Sequence, residues 1–166
     1  DGFQPIMGRV LIIAGSDSGG GAGIQADIKA TSALGAYAAT AITALTAQNT
    51  LGVHGVMPVP LDFLDRQIGV VLGDIGADCI KTGMLHDSGV IETVLAAVNR
   101  DAPDVPMVVD PVMVAKGGAA LLQDEAVVTL RNSLLPRAAL LTPNVPEAEA
   151  LAGRALAGAA DMEDLA

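Results

Sequence analysis

The chain has 166 residues, of which 51% are hydrophobic and 2% aromatic, with one cysteine and a formal charge of −10. That length and apolar content suit one globular domain with a large core. The acidity and the scarcity of aromatic rings exclude a nucleic-acid surface of basic stripes and stacking platforms, although small anionic ligands stay open through local amides or a metal. Cys79 alone can make no internal disulfide, which points to a cytoplasmic setting, and no apolar run reaches bilayer length.

Residues 1–8, with Met7 as a possible native start, read as an N-terminal extension, and 9–166 as a single domain. Val10 to Ile13 form an apolar run that predicts a buried strand. The stretch GSDSGGGAGIQAD, Gly15 to Asp27, follows at once and opens an amphipathic helix that ends near Leu34 and Gly35. Its glycines 19, 20, 21 and 23 permit positive φ and close approach of a ligand, and its amides at a helix N-terminus suit anions or polar ring edges. Gly21 to Ala26 fit a relaxed dinucleotide turn, but the acidic residue of such sites is missing and no Walker lysine follows. A plain strand-to-helix turn is the competing reading.

Further along, Tyr37 to Thr46 reads as a second buried strand, punctuated by Gln48-Asn49-Thr50. Gly52 to Val59 reads as a short strand. Apolar residues at helical spacing predict a helix over Leu61 to Ile75, started by Pro60 and Asp62. Asp78 to Thr82 is the next strand, Val90 to Val98 the next helix, and Met107 to Val109 the strand that delivers Asp110. Val127 to Leu135 predicts a helix closed by Pro136, Ala138 to Leu141 a strand, and Glu147 to Leu151 the start of another helix. Residues 161–165 resemble the capped first turn of one more helix, so the chain reads as a fragment.

Strands alternating with helices predict a three-layer α/β/α domain, a mostly parallel sheet with helices on both faces. Ligands in such folds gather at the carboxyl ends of the strands, where Gly15 to Asp17, Gln48, Asn49, Lys81 to Met84, Asp110, Lys116, Asn144 and Glu147 fall. His54 and His86 are isolated, which argues against zinc.

The segments AGSDSGGGAGIQADIKA, ITALTAQNTLGV, IKTGML, VVDPVM and LLTPNVPEAEAL occur in the order and spacing of the hydroxymethylpyrimidine and phosphomethylpyrimidine kinases of thiamine biosynthesis. The chain resembles this ribokinase-like family from Arg9 to about Ala152. Pyridoxal kinases share the DPVM and TPN-x-x-E segments, whereas the Gly-rich loop and TAQNT favour the pyrimidine enzymes. The resemblance implies ATP as co-substrate, Mg²⁺, a small pyrimidine substrate and a homodimer in the parent protein. It also implies that the general base and anion hole, carried by a later Gly-Thr-Gly turn, lie beyond residue 166, which leaves turnover by this chain open.

Residue by residue, the resemblance places substrate contacts at Gly15, Asp27, Gln48 and Met84. A carboxamide such as Gln48 offers N–H and C=O side by side, the complement of an aminopyrimidine edge. Asn49 could do the same on chemistry alone. Asp27, one turn beyond Gly23, can point back toward the loop or simply favour the helix end, and Met84 could equally be core. Asp110 and Glu147 are the expected Mg²⁺ residues, acting through water, with Asn144 on those waters or a phosphate oxygen. Without the resemblance they read as an Asp-Pro turn and a first-turn helix acid. Lys116 can reach phosphate charge from its loop or stay solvated. The alternatives to the pyrimidine kinase are a pyridoxal or pyridoxine kinase and a non-catalytic pyrimidine-binding module.

Overall fold

The computed structural model describes residues 8–114 and 122–155. A five-stranded parallel sheet runs in the order β2-β1-β5-β6-β7, from Tyr37–Ile42 through Arg9–Ala14, Cys79–Thr82 and Met107–Val109 to Leu140–Leu141. Alternation along β1 feeds both faces of the sheet. Leu11 and Ile13 enter the larger core, with Leu64 and Ile68 of α2 (Leu61–Asp74) and Ile91 and Val94 of α3 (Ser88–Asp101). Ile12 and Ala14 point the other way and meet Ile24 and Ile28 of α1 (Gly23–Ala33). Helices therefore cover both faces, as the alternating pattern predicts. No helix among the described residues is long and apolar enough to cross a membrane.

The expected strand from Tyr37 to Thr46 is in fact two. β2 ends at Ile42, and β3 (Ala44–Asn49) leaves the sheet to pair antiparallel with β4 (Gly52–Pro58) as a separate ribbon. Thr43, 1% exposed, is the pivot: its N–H donates to the Ala14 carbonyl, its hydroxyl to the Met84 carbonyl at 2.8 Å, and its own carbonyl accepts from Val59. Each polar group of the residue that leaves the ladder is thus paired, so the break costs no buried donor. Gln67 of α2 completes the exit, accepting from the Ile42 N–H at 3.0 Å and donating to its carbonyl at 3.2 Å on the outer edge of the sheet.

Helix boundaries also differ from expectation. Asp87 accepts from the Val90 N–H and starts α3 at Ser88, earlier than Val90. The helix expected to close before Pro136 begins at Asp124 as α4 (Asp124–Thr129), widens into a π turn over Leu130–Leu134, and ends as a 3₁₀ turn, Leu135–Arg137. Pro136 sits at the start of that last turn, where a missing N–H is tolerated. The last element among the described residues, α5, spans Val145–Ala152 and stops at Gly153 in the left-handed conformation.

Candidate active site

The chain runs from β1 outward to β2, then returns to β5 on the other side of β1. Strand order therefore reverses at the carboxyl end of β1, the place where doubly wound sheets open a crevice. A cleft of about 350 Å³ opens there. Gly15, Asp27, Gln48, Met84 and Asp110, five of the residues picked out from sequence, line it together.

The Gly-rich loop is organised by its own carboxylate. Asp17, 5% exposed, accepts from Gly19 N–H at 2.7 Å on one oxygen, and from Gly21 and Ala22 N–H at 2.9 and 2.8 Å on the other. These amides are thereby occupied, which corrects the expectation that they are free for an external anion. Gln25 adds a second brace: its carbonyl accepts from Asp17 N–H and its amide donates to Ser16 Oγ. Of the four glycines expected at positive φ, Gly20 and Gly23 adopt it, at 76° and 56°. At Gly23 a Cβ would also lie 2.4 Å from the Gly15 carbonyl oxygen.

Gln48 reaches the cleft from β3. A bulge at Ala47–Gln48, where pairing jumps from Gly55 to Val53, re-aims the strand as bulges do. The Ser18 hydroxyl then clasps the Gln48 backbone, accepting from its N–H and donating to its carbonyl, both at 2.8 Å. Thr46 Oγ1 donates to the Ser16 carbonyl at 2.7 Å and lies 3.3 Å from Gln48 Oε1, so one hydroxyl proton is shared and the shorter contact dominates. Asn49 is spent elsewhere. Its Oδ1 accepts from Leu51 and Gly52 N–H and meets His54 Nε2, building the β3–β4 turn.

Met84 forms one wall, 8% exposed, with its Cε where a Gly15 Cβ would be, at 2.3 Å. It is both core and cleft lining. Across from it, Lys81 of β5 donates to Asp27 Oδ2 at 2.7 Å and lies 3.3 Å from Asp110 Oδ2.

Asn144 and Glu147 do not line this cleft; they form a capping box at the start of α5. Asn144 Oδ1 accepts from Glu147 N–H and Glu147 Oε2 from Asn144 N–H, each at 3.0 Å. Glu147 Oε1 also accepts from Met113 N–H at 3.3 Å, tying α5 to the segment that follows Asp110. Lys116 lies outside the described residues. Sequence reasoning placed Asp17 and Lys81 at the strand ends without giving either a role, and missed Ser18 and Gln25. The Asp-x-Gly spacing of an Asx turn signalled the role of Asp17, and a charge inside a buried parallel strand signalled that of Lys81.

A parallel sheet with helices on both faces and a cleft at its reversal point defines a doubly wound three-layer α/β/α fold, and its likeness to solved phosphomethylpyrimidine and pyridoxal kinases makes it ribokinase-like. The family model for phosphomethylpyrimidine kinase matches residues 17–166, and the chain belongs to that family. It is 51% identical over 158 residues to a hydroxymethylpyrimidine/phosphomethylpyrimidine kinase of Bacillus subtilis, covering 95% of this chain and 58% of that protein. Its structure resembles the crystal structure of phosphomethylpyrimidine kinase from Clostridium difficile with a TM-score of 0.88 and 43% identity, covering 95% of this chain and 68% of the other. Pyridoxal kinase of Staphylococcus aureus bound to AMP-PCP is similar with a TM-score of 0.82 and 37% identity, over 95% of this chain and 57% of that one. The chain thus spans little more than half the length of the Bacillus subtilis relative.

Proposed function

We propose that the protein carrying this chain is an ATP-dependent kinase of 4-amino-5-hydroxymethyl-2-methylpyrimidine and of its monophosphate, acting in thiamine biosynthesis from the cytoplasm. Family membership supports the reaction class. The observation that carries the substrate reading is the convergence of Gln48, Asp27 and Gly15 on one small cleft at the reversal of strand order. About 350 Å³ suits a single heteroaromatic ring, at the small end of ligand pockets.

In this reading the Gln48 carboxamide pairs with the aminopyrimidine edge, held by the bulge and by Ser18 so that little side-chain freedom is lost on binding. Gly15 leaves room for the Met84 side chain, which covers one face of the ring with an adaptable thioether. Asp27 accepts from the amino or hydroxyl group. Asp110, with its side chain 33% exposed at a strand end, fits a magnesium ion that keeps most of its waters. Each Glu147 oxygen already accepts one backbone N–H and retains a second lone pair, compatible with a water-mediated contact, and Asn144 keeps its amide nitrogen for the same shell. Bound there, magnesium would supply charge neutralisation for phosphoryl transfer. Lys116 is proposed as a phosphate-facing cation. The nucleotide assignment to ATP draws on the AMP-PCP complex of the related pyridoxal kinase.

Calorimetric titration with hydroxymethylpyrimidine tests the reading. Gln48→Ala should weaken binding by about 1–3 kcal/mol, the cost of leaving ring polar atoms unpaired in a dry site. Tighter binding of pyridoxal than of the pyrimidine would favour the pyridoxal-kinase alternative, and pyrimidine binding without ATP turnover by the full-length protein would leave a binding module.

The parent protein is further proposed to be a homodimer through the β3–β4 ribbon. Leu45 and Met57 are register partners there and are 40% and 60% exposed, an unusual pairing for a surface left in water. Light scattering should report a dimer that Leu45→Glu dissociates; a wild-type monomer would overturn this.

A further inference from the structure

Lys81 is the one cation that lines the cleft among the described residues, and its side chain is 22% exposed. The titratable groups around it are Asp17, Asp27 and Asp110. Asp17 is committed to the loop amides. Asp27 comes from α1 on one face of the sheet and Asp110 from the end of β6, while β5 lies between β1 and β6. A single ammonium from the intervening strand therefore gathers carboxylates from two separate elements, at 2.7 and 3.3 Å.

Two carboxylates this close to one nitrogen attract it and repel each other. With the ammonium present the arrangement is fixed; without it, no other cation among the described residues lining the cleft offsets the repulsion, and the carboxylates turn apart. An ion pair this sheltered from water is screened less than a surface pair, so its geometry carries weight.

We propose that Lys81 is a positioning residue for pyrimidine recognition: its ammonium holds the Asp27 carboxylate in the orientation that the ring's donor group meets, against the repulsion of Asp110. This rests on the function proposed above. A lysine acting only through its aliphatic stem would be replaced well by methionine, and its loss would not depend on the charge at Asp110.

Titration of the protein with hydroxymethylpyrimidine, without nucleotide or metal, separates these cases. Lys81→Met should weaken binding about tenfold, and Lys81→Arg by less. Adding Asp110→Asn to Lys81→Met should restore a large part of the lost affinity, because the repelling charge is gone. The double variant is read against Asp110→Asn alone. Lys81→Gln repeats the comparison if the methionine variant loses its melting transition. Wild-type affinity in the charge-free variants, or a double variant no better than Lys81→Met, would overturn the inference. Failure of the wild type to bind the pyrimidine overturns the functional reading itself.

Discussion

At Gly15 and Gly23 the same missing side chain serves two different ends. A methyl group at Gly15 would collide with Met84 Cε, the far end of a flexible side chain, whereas one at Gly23 would collide with the Gly15 carbonyl oxygen at a φ of 56°. The first obstacle can move and the second cannot. Gly15→Ala should therefore fold with a melting temperature within a few degrees of wild type but bind pyrimidine poorly, because Met84 is pushed into the ring's space. Gly23→Ala should lose roughly 2–4 kcal/mol by combining left-handed strain with a backbone clash. Thermal melts of the two variants check this, and equal losses would contradict it. Sequence marks Gly23 as a loop glycine free to take positive φ, and the family resemblance marks Gly15 as a substrate contact. The difference between them lies in what each Cβ would touch, which only the packed structure supplies.

Loop and ribbon are the elements that make the cleft, and both depend on side chains spent on backbone. The Asp17 carboxylate receives three amides of the Gly-rich loop. Asp17→Asn turns one arm from acceptor to donor, so it faces at least one N–H with another. Hydrogen exchange at Gly19, Gly21 and Ala22 should accelerate, with a stability loss of about 1.5–3 kcal/mol for hydrogen bonds to a charged group. Unchanged exchange there would mean the loop is held by its glycines alone. Strand and helix existence was legible in the sequence: β1 is a continuous apolar run buried on both faces, and α2 and α3 each bury apolar positions at helical spacing. The ribbon was not legible. Tyr37 to Thr46 is continuous in composition, and the break at Thr43 is made by partners from β1, β5 and the residue before α2, all distant in sequence. Gln48 was found through the motif around it, while its aim depends on a bulge that no local pattern announces.

For the molecule as a whole, acid stability follows from a staple between the starts of two central strands. Arg9 opens β1 and donates through Nε and Nη2 to Asp78, just ahead of β5, at 3.0 and 2.7 Å, with its backbone N–H adding a third bond at 2.8 Å. Those hydrogen bonds, with the arginine charge, hold the Asp78 carboxyl down from 3.8 to about 2. Asp101, beside Arg100, is lowered in the same direction. A carboxyl whose folded value is depressed binds protons more readily when unfolded. Its contribution is therefore complete above its ordinary value near 3.8 and disappears as pH falls toward 2. The net charge works over a different range. At −10 near neutrality and with a pI of about 4.3, self-repulsion eases as pH falls from 7 toward 4. The melting temperature should accordingly hold or rise down to about pH 4 and then fall toward pH 2. Asp78→Asn should lower it at pH 7 and flatten the fall below pH 4. Both side chains are about half exposed, 45% and 51%, so 1 M salt should shrink the difference between variant and wild type. A mutant whose acid limb parallels the wild type would show that the staple does not set the slope, and that protonation of other carboxylates drives acid unfolding.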